Sequence, residues 1–186
     1  GKPFSRNNRS IVYARAKKEV ATKPFGTMLD VYQQGYEFIN HSLAPVHCDP
    51  EALRVTIGGP SCKKPYRASI FNISAMSYGA LSSNAIRALN GGAKLGGFAH
   101  NTGEGGLSPH HLAPEGDIIW EIGTGYFSCR DASGKFDPEQ FRERAVLTNV
   151  KMIEIKLSQG AKPGHGGVLP AKKITPEISA IRGIPM

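Results

Sequence analysis

Glu104 stands among Gly103, Gly105 and Gly106, so its carboxylate projects from backbone that carries little side-chain bulk. A carboxylate presented this way lets a ligand approach closely and can steer or accept a proton from an amine. It can equally anchor the backbone N–H groups of its own loop. Lys156 closes an apolar run, and Lys162 stands in the glycine-rich stretch beyond it. If that run is a strand, Glu154 and Lys156 share a face, because side chains i and i+2 project to the same side. Two ionisable groups on an inward face are costly to bury without a partner. They form either a structural pair or a site for an anionic ligand. His100, His110, His111 and His165 match no metal-ligand spacing, and His110-His111, in a proline-flanked loop, are expected to be solvated. No G-x-x-x-x-G-K-[ST] loop occurs, and Gly91-Gly92 to Gly97 does not follow a strand, which argues against both nucleotide-binding glycine loops.

The elements that must position these residues follow a strand-and-crossover rhythm. Ser69-Ile70-Phe71-Asn72-Ile73 reads as a buried strand, followed by Ser74-Ala75-Met76-Ser77-Tyr78-Gly79. Ser82 caps a helix whose Ile86, Leu89 and Ala93 share a face, and Gly96-Gly97 ends it. Phe98-Ala99-His100-Asn101 reads as a second strand, leading into the Glu104 loop, and Asp117 to Ile122 as a third. Asp137-Pro138 opens a helix through Phe141 and Val146, Lys151 to Leu157 forms a fourth strand, and Thr175-Pro176-Glu177 opens a last helix with Ile178 and Ile181 on its apolar side. Strands separated by helical crossovers pair in parallel. The expected fold class is therefore α/β, of the parallel (β/α)8 barrel type, with about the first four βα units present. A closed barrel of this kind usually needs about 250 residues, more than the 186 here. Residues 68–186 are assigned to the half barrel and 1–67 to a basic arm and irregular segment before it. In that first part a short β-like run covers Leu53 to Ile57, and helical spacing is plausible around Met28-Leu29-Tyr32-Tyr36 and Phe38-Ile39.

Hydrophobic residues make up 40% and charged residues 20% of the chain, which excludes a disordered or low-complexity protein. Up to Lys23 there are seven basic residues against Glu19 alone, so most of the formal charge of +8 sits in one arm. Such an arm can attract nucleic acid, an anionic membrane or an acidic partner. No aromatics are interleaved as a single-strand groove requires, and the arm is taken as a solvated helix or tail, with neither nucleic acid nor membrane as a partner. No segment approaches the roughly 18 apolar residues of a span, and no signal peptide is visible, which makes the cytoplasm the expected compartment. Cys48, Cys62 and Cys129 are too widely spaced for a metal knuckle and are read as reduced, mostly packing residues.

Three stretches in order, Ala75-Met76-Ser77-Tyr78-Gly79-Ala80-Leu81-Ser82, Asn101-Thr102-Gly103-Glu104-Gly105-Gly106 and Glu154-Ile155-Lys156-Leu157-Ser158-Gln159-Gly160-Ala161-Lys162-Pro163-Gly164, closely resemble the FMN-binding synthase domain of glutamate synthase large subunits. The resemblance runs from Ile70 to about Arg182. It implies a TIM barrel holding FMN, in which ammonia condenses with 2-oxoglutarate and reduced flavin passes a hydride to the resulting 2-iminoglutarate. It further implies an electron-donor subunit or ferredoxin, a glutaminase domain or subunit, and the C-terminal half of the barrel as partners. The flavin platform maps to Ala75, Met76 and Ser77, with Asn101, Lys156 and Gln159 nearby. The proton-handling glutamate maps to Glu104, with Lys156 beside it in the catalytic group, and the cations for the oxoacid carboxylates map to Lys162 and Arg182.

Two departures bear on function. Where the family commonly has Gly-Glu-Gly-Gly-Gln, this chain reads Gly164-His165-Gly166-Gly167-Val168, and the lost glutamine is a substrate-side group. Val168 in its place is consistent with an enlarged amine pocket and an N-substituted product such as N-methylglutamate. The cysteine cluster of the large enzymes and a glutaminase domain are absent from this span. A phosphate grip in such barrels is commonly built after strands seven and eight, so a half barrel alone is expected to hold flavin weakly and to lack synthase activity. It could also serve as a non-catalytic interaction module.

Overall fold

The computed structural model describes residues 4–20, 26–160 and 168–186. Its contacts divide the chain into a unit of residues 1–47 and a unit of residues 48–186. The boundary precedes the expected one at 67/68 because strand β1 (Arg54–Ile57) forms an antiparallel hairpin with β2 (Tyr66–Ser69), which makes the irregular segment part of the second unit.

In the first unit, helix α1 (Arg6–Ala16) is capped by Ser5, whose hydroxyl accepts from Asn8 N at 3.1 Å, and it buries no residue. This is the solvated basic helix that the charge pattern anticipates. No helix forms over residues 28–39. Asp30 instead accepts from Tyr32 N through its side chain and from Gln33 N through its carbonyl, and Gly35 turns the chain at φ +84°. An Asx turn followed by a left-handed glycine competes directly with helical continuation.

The second unit is α/β. Strands β3 (His100–Asn101), β4 (Ile118–Ile122) and β5 (Val150–Ile155) form a parallel sheet in that order. Helices α2 (Ser83–Gly96), α3 (Pro109–Leu112), α4 (Pro138–Ala145) and α5 (Pro176–Arg182) precede, separate or follow them along the chain. Each has a side-chain cap, from Ser82, Ser108, Asp137 and Thr175 respectively. Gly97 ends α2 in the left-handed region. β4 is buried along its whole length because it is flanked on both sides. Its Ile118, Trp120 and Ile122 join Leu107 and Cys129 in the core, where Trp120 stacks on Phe141 of α4. Tyr66 donates to Asp117 at 2.9 Å, fastening the hairpin to the start of β4.

The strand expected over Ser69–Ile73 is reduced to one bridge. Ser69 belongs to β2, Ile70 and Phe71 are exposed, and only Ile73 pairs in parallel with His100. The Ser69 hydroxyl takes Phe71 N, and the Asn72 side chain donates to Ser69 O and accepts from Ala99 N. Local side-chain bonds thus displace the ladder.

Two expectations about single residues are corrected. Cys48 and Cys62 are exposed, and Cys129 alone packs in the core, where burial pushes its thiol up to about 11. His111 is wholly buried in α3, and the side chain of His110 is only 12% exposed. Proline at the first turn of α3 opens a capping box between Ser108 and His111, so the pair sits in a helix rather than a solvated loop.

His100 is also wholly buried, and neither ring nitrogen has a hydrogen-bond partner among the described residues. Burial, with His111 beside it, pushes His100 down to about 4, and burial lowers His111 too. The unfolded chain therefore binds protons that the folded chain refuses, and stability is full above about pH 6.5 and falls as pH drops toward 4. The slope approaches about 1.4 kcal/mol per pH unit for each such histidine. Urea midpoints across this window should show it, and His100→Leu should flatten it. An unchanged slope in that variant would assign the acid sensitivity to other groups.

Candidate active site

The loops after β3 and β5 and the segment after Ile73 meet at the carboxyl ends of the parallel strands. Met76 N donates to Asn101 O at 3.1 Å, which lays the Ala75–Ser77 segment alongside β3. The Asn101 side chain works in both directions. Its Oδ1 accepts from Gly103 N at 2.8 Å, and its Nδ2 donates to Glu154 Oε2 at 2.8 Å. The Ser77 hydroxyl accepts from Gly105 N at 3.2 Å. Gly103 lies at φ +67°, and a Cβ there would fall 2.4 Å from Ser77 Oγ and 2.9 Å from Ser77 N. At Gly105 a Cβ would fall 2.8 Å from Arg182 Nη2. The glycines around Glu104 thus let the protein's own platform and cation come close, a packing reason that the bare spacing did not disclose.

Glu104 is about one-third exposed and is held by donors from the β5 side. Lys156 Nζ lies 3.1 Å from Oε1, and Gln159 Nε2 lies 2.6 Å from Oε2. Lys156 stays in register because its own N–H donates to Ile122 O at 2.9 Å, extending the ladder past β5. Glu154 and Lys156 do act on one side of the sheet, but they pair with Asn101 and Glu104 respectively. Beneath them Glu121, opposite Glu154 in register, is 5% exposed. Burial, then the charges of Glu154 and Glu104, raise its carboxyl above the ordinary range, against the pull of Lys156 and the hydrogen bond from Asn101. Among the described residues Lys156 pairs with Glu104 and Asn101 with Glu154, and Glu121 lies in the field of both carboxylates, which favours holding a proton there.

Arg182, at the end of α5, donates from Nη2 to Tyr78 O at 3.2 Å and lies over the Phe127 ring at 5.2 Å. Burial lowers its pKa, and Glu104 opposes that. Ser77, Glu104, Phe127, Gln159, Lys173 and Arg182 line one cavity of about 650 Å³. Of the residues singled out from sequence, Ser77, Asn101, Glu104, Lys156, Gln159 and Arg182 are brought together here, Met76 is half-buried and Ala75 is exposed beside them. Lys162 and His165 lie outside the described residues. Sequence reasoning missed Phe127 and Lys173 in the cavity wall, and His111, whose Nε2 donates to Met76 O at 2.9 Å. The capping pattern at Ser108 was the only sequence signal for His111. Among the described residues no cluster of His, Cys, Asp and Glu is arranged to hold a metal ion, and no helix is long and apolar enough to cross a membrane.

Fold and site together define an α/β protein with a charge-paired cavity at the carboxyl ends of parallel strands, the place where enzymes of this architecture act. The conserved region in glutamate synthase matches residues 19–186, and the chain belongs to the glutamate synthase family. It is 42% identical over 142 residues to the glutamate synthase large subunit-like protein YerD of Bacillus subtilis, covering 75% of this chain and 27% of that protein. It is 46% identical over 114 residues to the archaeal glutamate synthase [NADPH] of Archaeoglobus fulgidus, covering 60% and 19% respectively. It is 37% identical over 115 residues to the glutamate synthase [NADPH] large chain of Bacillus subtilis, covering 61% and 7%. The chain therefore spans about a quarter or less of the length of these relatives. No solved structure matches it.

Proposed function

We propose that this chain forms the first part of an FMN-dependent glutamate synthase barrel, which reductively aminates 2-oxoglutarate to L-glutamate. The observation that carries the reading is Glu104 held between Lys156 and Gln159 in a cavity that also contains Arg182. The unpaired outer edge of β5 among the described residues, with Ile155 exposed, suits continuation into further parallel strands.

The residues present fit a flavin ring. Ala75, Met76 and Ser77 form a backbone ledge held to β3, with Asn101, Gln159 and the cation of Lys156 close by. A cation near the ring favours its reduced, anionic form. Bound flavin supplies the hydride. The chain's own residues do the rest. Arg182, with Lys173 on the same wall, neutralises carboxylate charge of a dianionic oxoacid, Arg through a fork of donors and Lys as a point charge. Ammonia adds to the oxoacid C2 carbonyl and water leaves, giving 2-iminoglutarate. Glu104 holds or gives the proton at the imine nitrogen, and Lys156 and Gln159 fix its two oxygens while it does so. Electrons would come from a donor subunit or ferredoxin, and ammonia from a glutaminase domain or subunit.

Val168 lines the same cavity and is exposed. That favours a second reading in which a primary amine such as methylamine replaces ammonia and the product is an N-substituted glutamate. The test is anaerobic mixing of the reduced, FMN-loaded enzyme with 2-oxoglutarate and either ammonium or methylamine. Flavin reoxidation with glutamate formation is expected with ammonium, and faster reoxidation with methylamine would select the second reading. Reoxidation that ignores the oxoacid would overturn both.

A further inference from the structure

Tyr78 is gripped by the two ends of α5. Its hydroxyl donates to Glu177 Oε2 at 2.5 Å in the first turn, and its carbonyl accepts from Arg182 Nη2 at 3.2 Å at the last residue. Glu177 is itself held from a second direction, its Oε1 lying 2.8 Å from His110 Nε2. Arg87 Nε donates to His110 Nδ1 at 3.2 Å, so Nδ1 accepts and Nε2 carries the proton that Glu177 receives. The Tyr78 and His110 rings meet edge to face at 4.6 Å. Arg87 of α2, His110 of α3, Tyr78 of the platform loop and Glu177 of α5 thus form one connected network. The cavity is lined by the neighbours of Tyr78, Ser77 and Gly79, and by none of these four side chains.

We propose that this network is a clamp that positions the Arg182 guanidinium for the oxoacid carboxylate, with Tyr78 and Glu177 as positioning residues. The proposal rests on the reading of Arg182 as a substrate cation. Its physical basis is pre-ordering. A seven-residue helix is a rod of roughly 10 Å, and tying its first turn to the Tyr78 hydroxyl orients the rod from whose last residue the arginine springs, while the Tyr78 carbonyl holds the tip of that side chain. The Nη2 bond and the Phe127 ring then occupy one corner and one face of the guanidinium. An arginine ordered before binding spares the ligand the cost of ordering it. The clamp also joins the substrate cation to the segment that carries the flavin platform, since Met76 to Tyr78 is continuous.

The decisive measurement is the affinity for 2-oxoglutarate of the FMN-loaded holoenzyme carrying Tyr78→Phe, Arg182→Ala or both, by calorimetry, with melting temperatures recorded alongside. Tyr78→Phe removes only the hydroxyl, and is expected to weaken binding about three- to tenfold, the effect of losing one hydrogen bond. In the Arg182→Ala background the same change should cost nothing further. Equal losses in both backgrounds, or none in the first, would overturn the clamp while leaving Arg182 as a substrate cation. Full affinity in Arg182→Ala alone would overturn the substrate reading and the clamp with it. Should Tyr78→Phe fail to fold, Glu177→Gln enters the same cycle with the same outcomes.

Discussion

Glu104→Gln is expected to keep flavin bound and to slow glutamate formation by roughly 10²–10⁴-fold at saturating oxoacid and ammonium, the range of a general acid or base. The substitution keeps shape and removes both the proton-accepting charge and one acceptor. In the native site each carboxylate oxygen faces a donor, Lys156 Nζ at 3.1 Å and Gln159 Nε2 at 2.6 Å. A glutamine can satisfy only one of them, because its own NH2 group must face the other. The variant therefore loses the proton carrier and loosens the two side chains that fix it, while the Ala75–Ser77 ledge, bonded to Asn101 and His111, is untouched. Flavin absorbance separates the two effects, and steady-state turnover reads the first. Unchanged turnover would return Glu104 to the role of a loop anchor.

Gly103→Ala is the second large effect, and it falls on the flavin. An alanine at φ +67° is strained, and its Cβ would stand 2.4 Å from Ser77 Oγ and 2.9 Å from Ser77 N, so the backbone of the platform must move. Left-handed strain of roughly 1–2 kcal/mol adds to the roughly 1–3 kcal/mol of overpacking. FMN affinity should fall by tens- to hundreds-fold, with far-UV circular dichroism preserved because the clash falls on Ser77, which lies outside the helices and strands. A fluorescence titration with FMN decides it. Native affinity in this variant would show that the ledge near Ser77 does not carry the ring.

Much of the candidate site was legible through the family resemblance, since two of its motifs run out of β3 and β5, the first follows the Ile73 bridge, and the loops converge at the carboxyl ends of the sheet. Asn101, Glu104, Lys156, Gln159 and Arg182 come from segments separated by about eighty positions, and the resemblance to a known family placed them on one list. Their pairing was not readable. Nothing in Glu154-Ile155-Lys156 states that the glutamate turns to Asn101 and the lysine to Glu104. The histidines were misread for a related reason, because solvation depends on what packs over a short helix and not on its flanking prolines.

Residue order settles whatever nearest neighbours decide. Caps at Ser82, Ser108, Asp137 and Thr175, the glycine stop at Gly97 and the apolar alternation of Ile118, Trp120 and Ile122 act within a few residues, so their energies are written locally. Competing side-chain bonds and packing between distant segments set the rest. Ser69–Ile73 gave up all but one bridge because Asn72 found partners at Ser69 and Ala99. The helical spacing around Met28 gave way to the Asp30 turn. Tyr78 acquired its part in the site only when α5 returned Glu177 and Arg182 to it, a contact between residues about a hundred positions apart. Such contacts depend on register and on the path of the chain, which no local preference encodes.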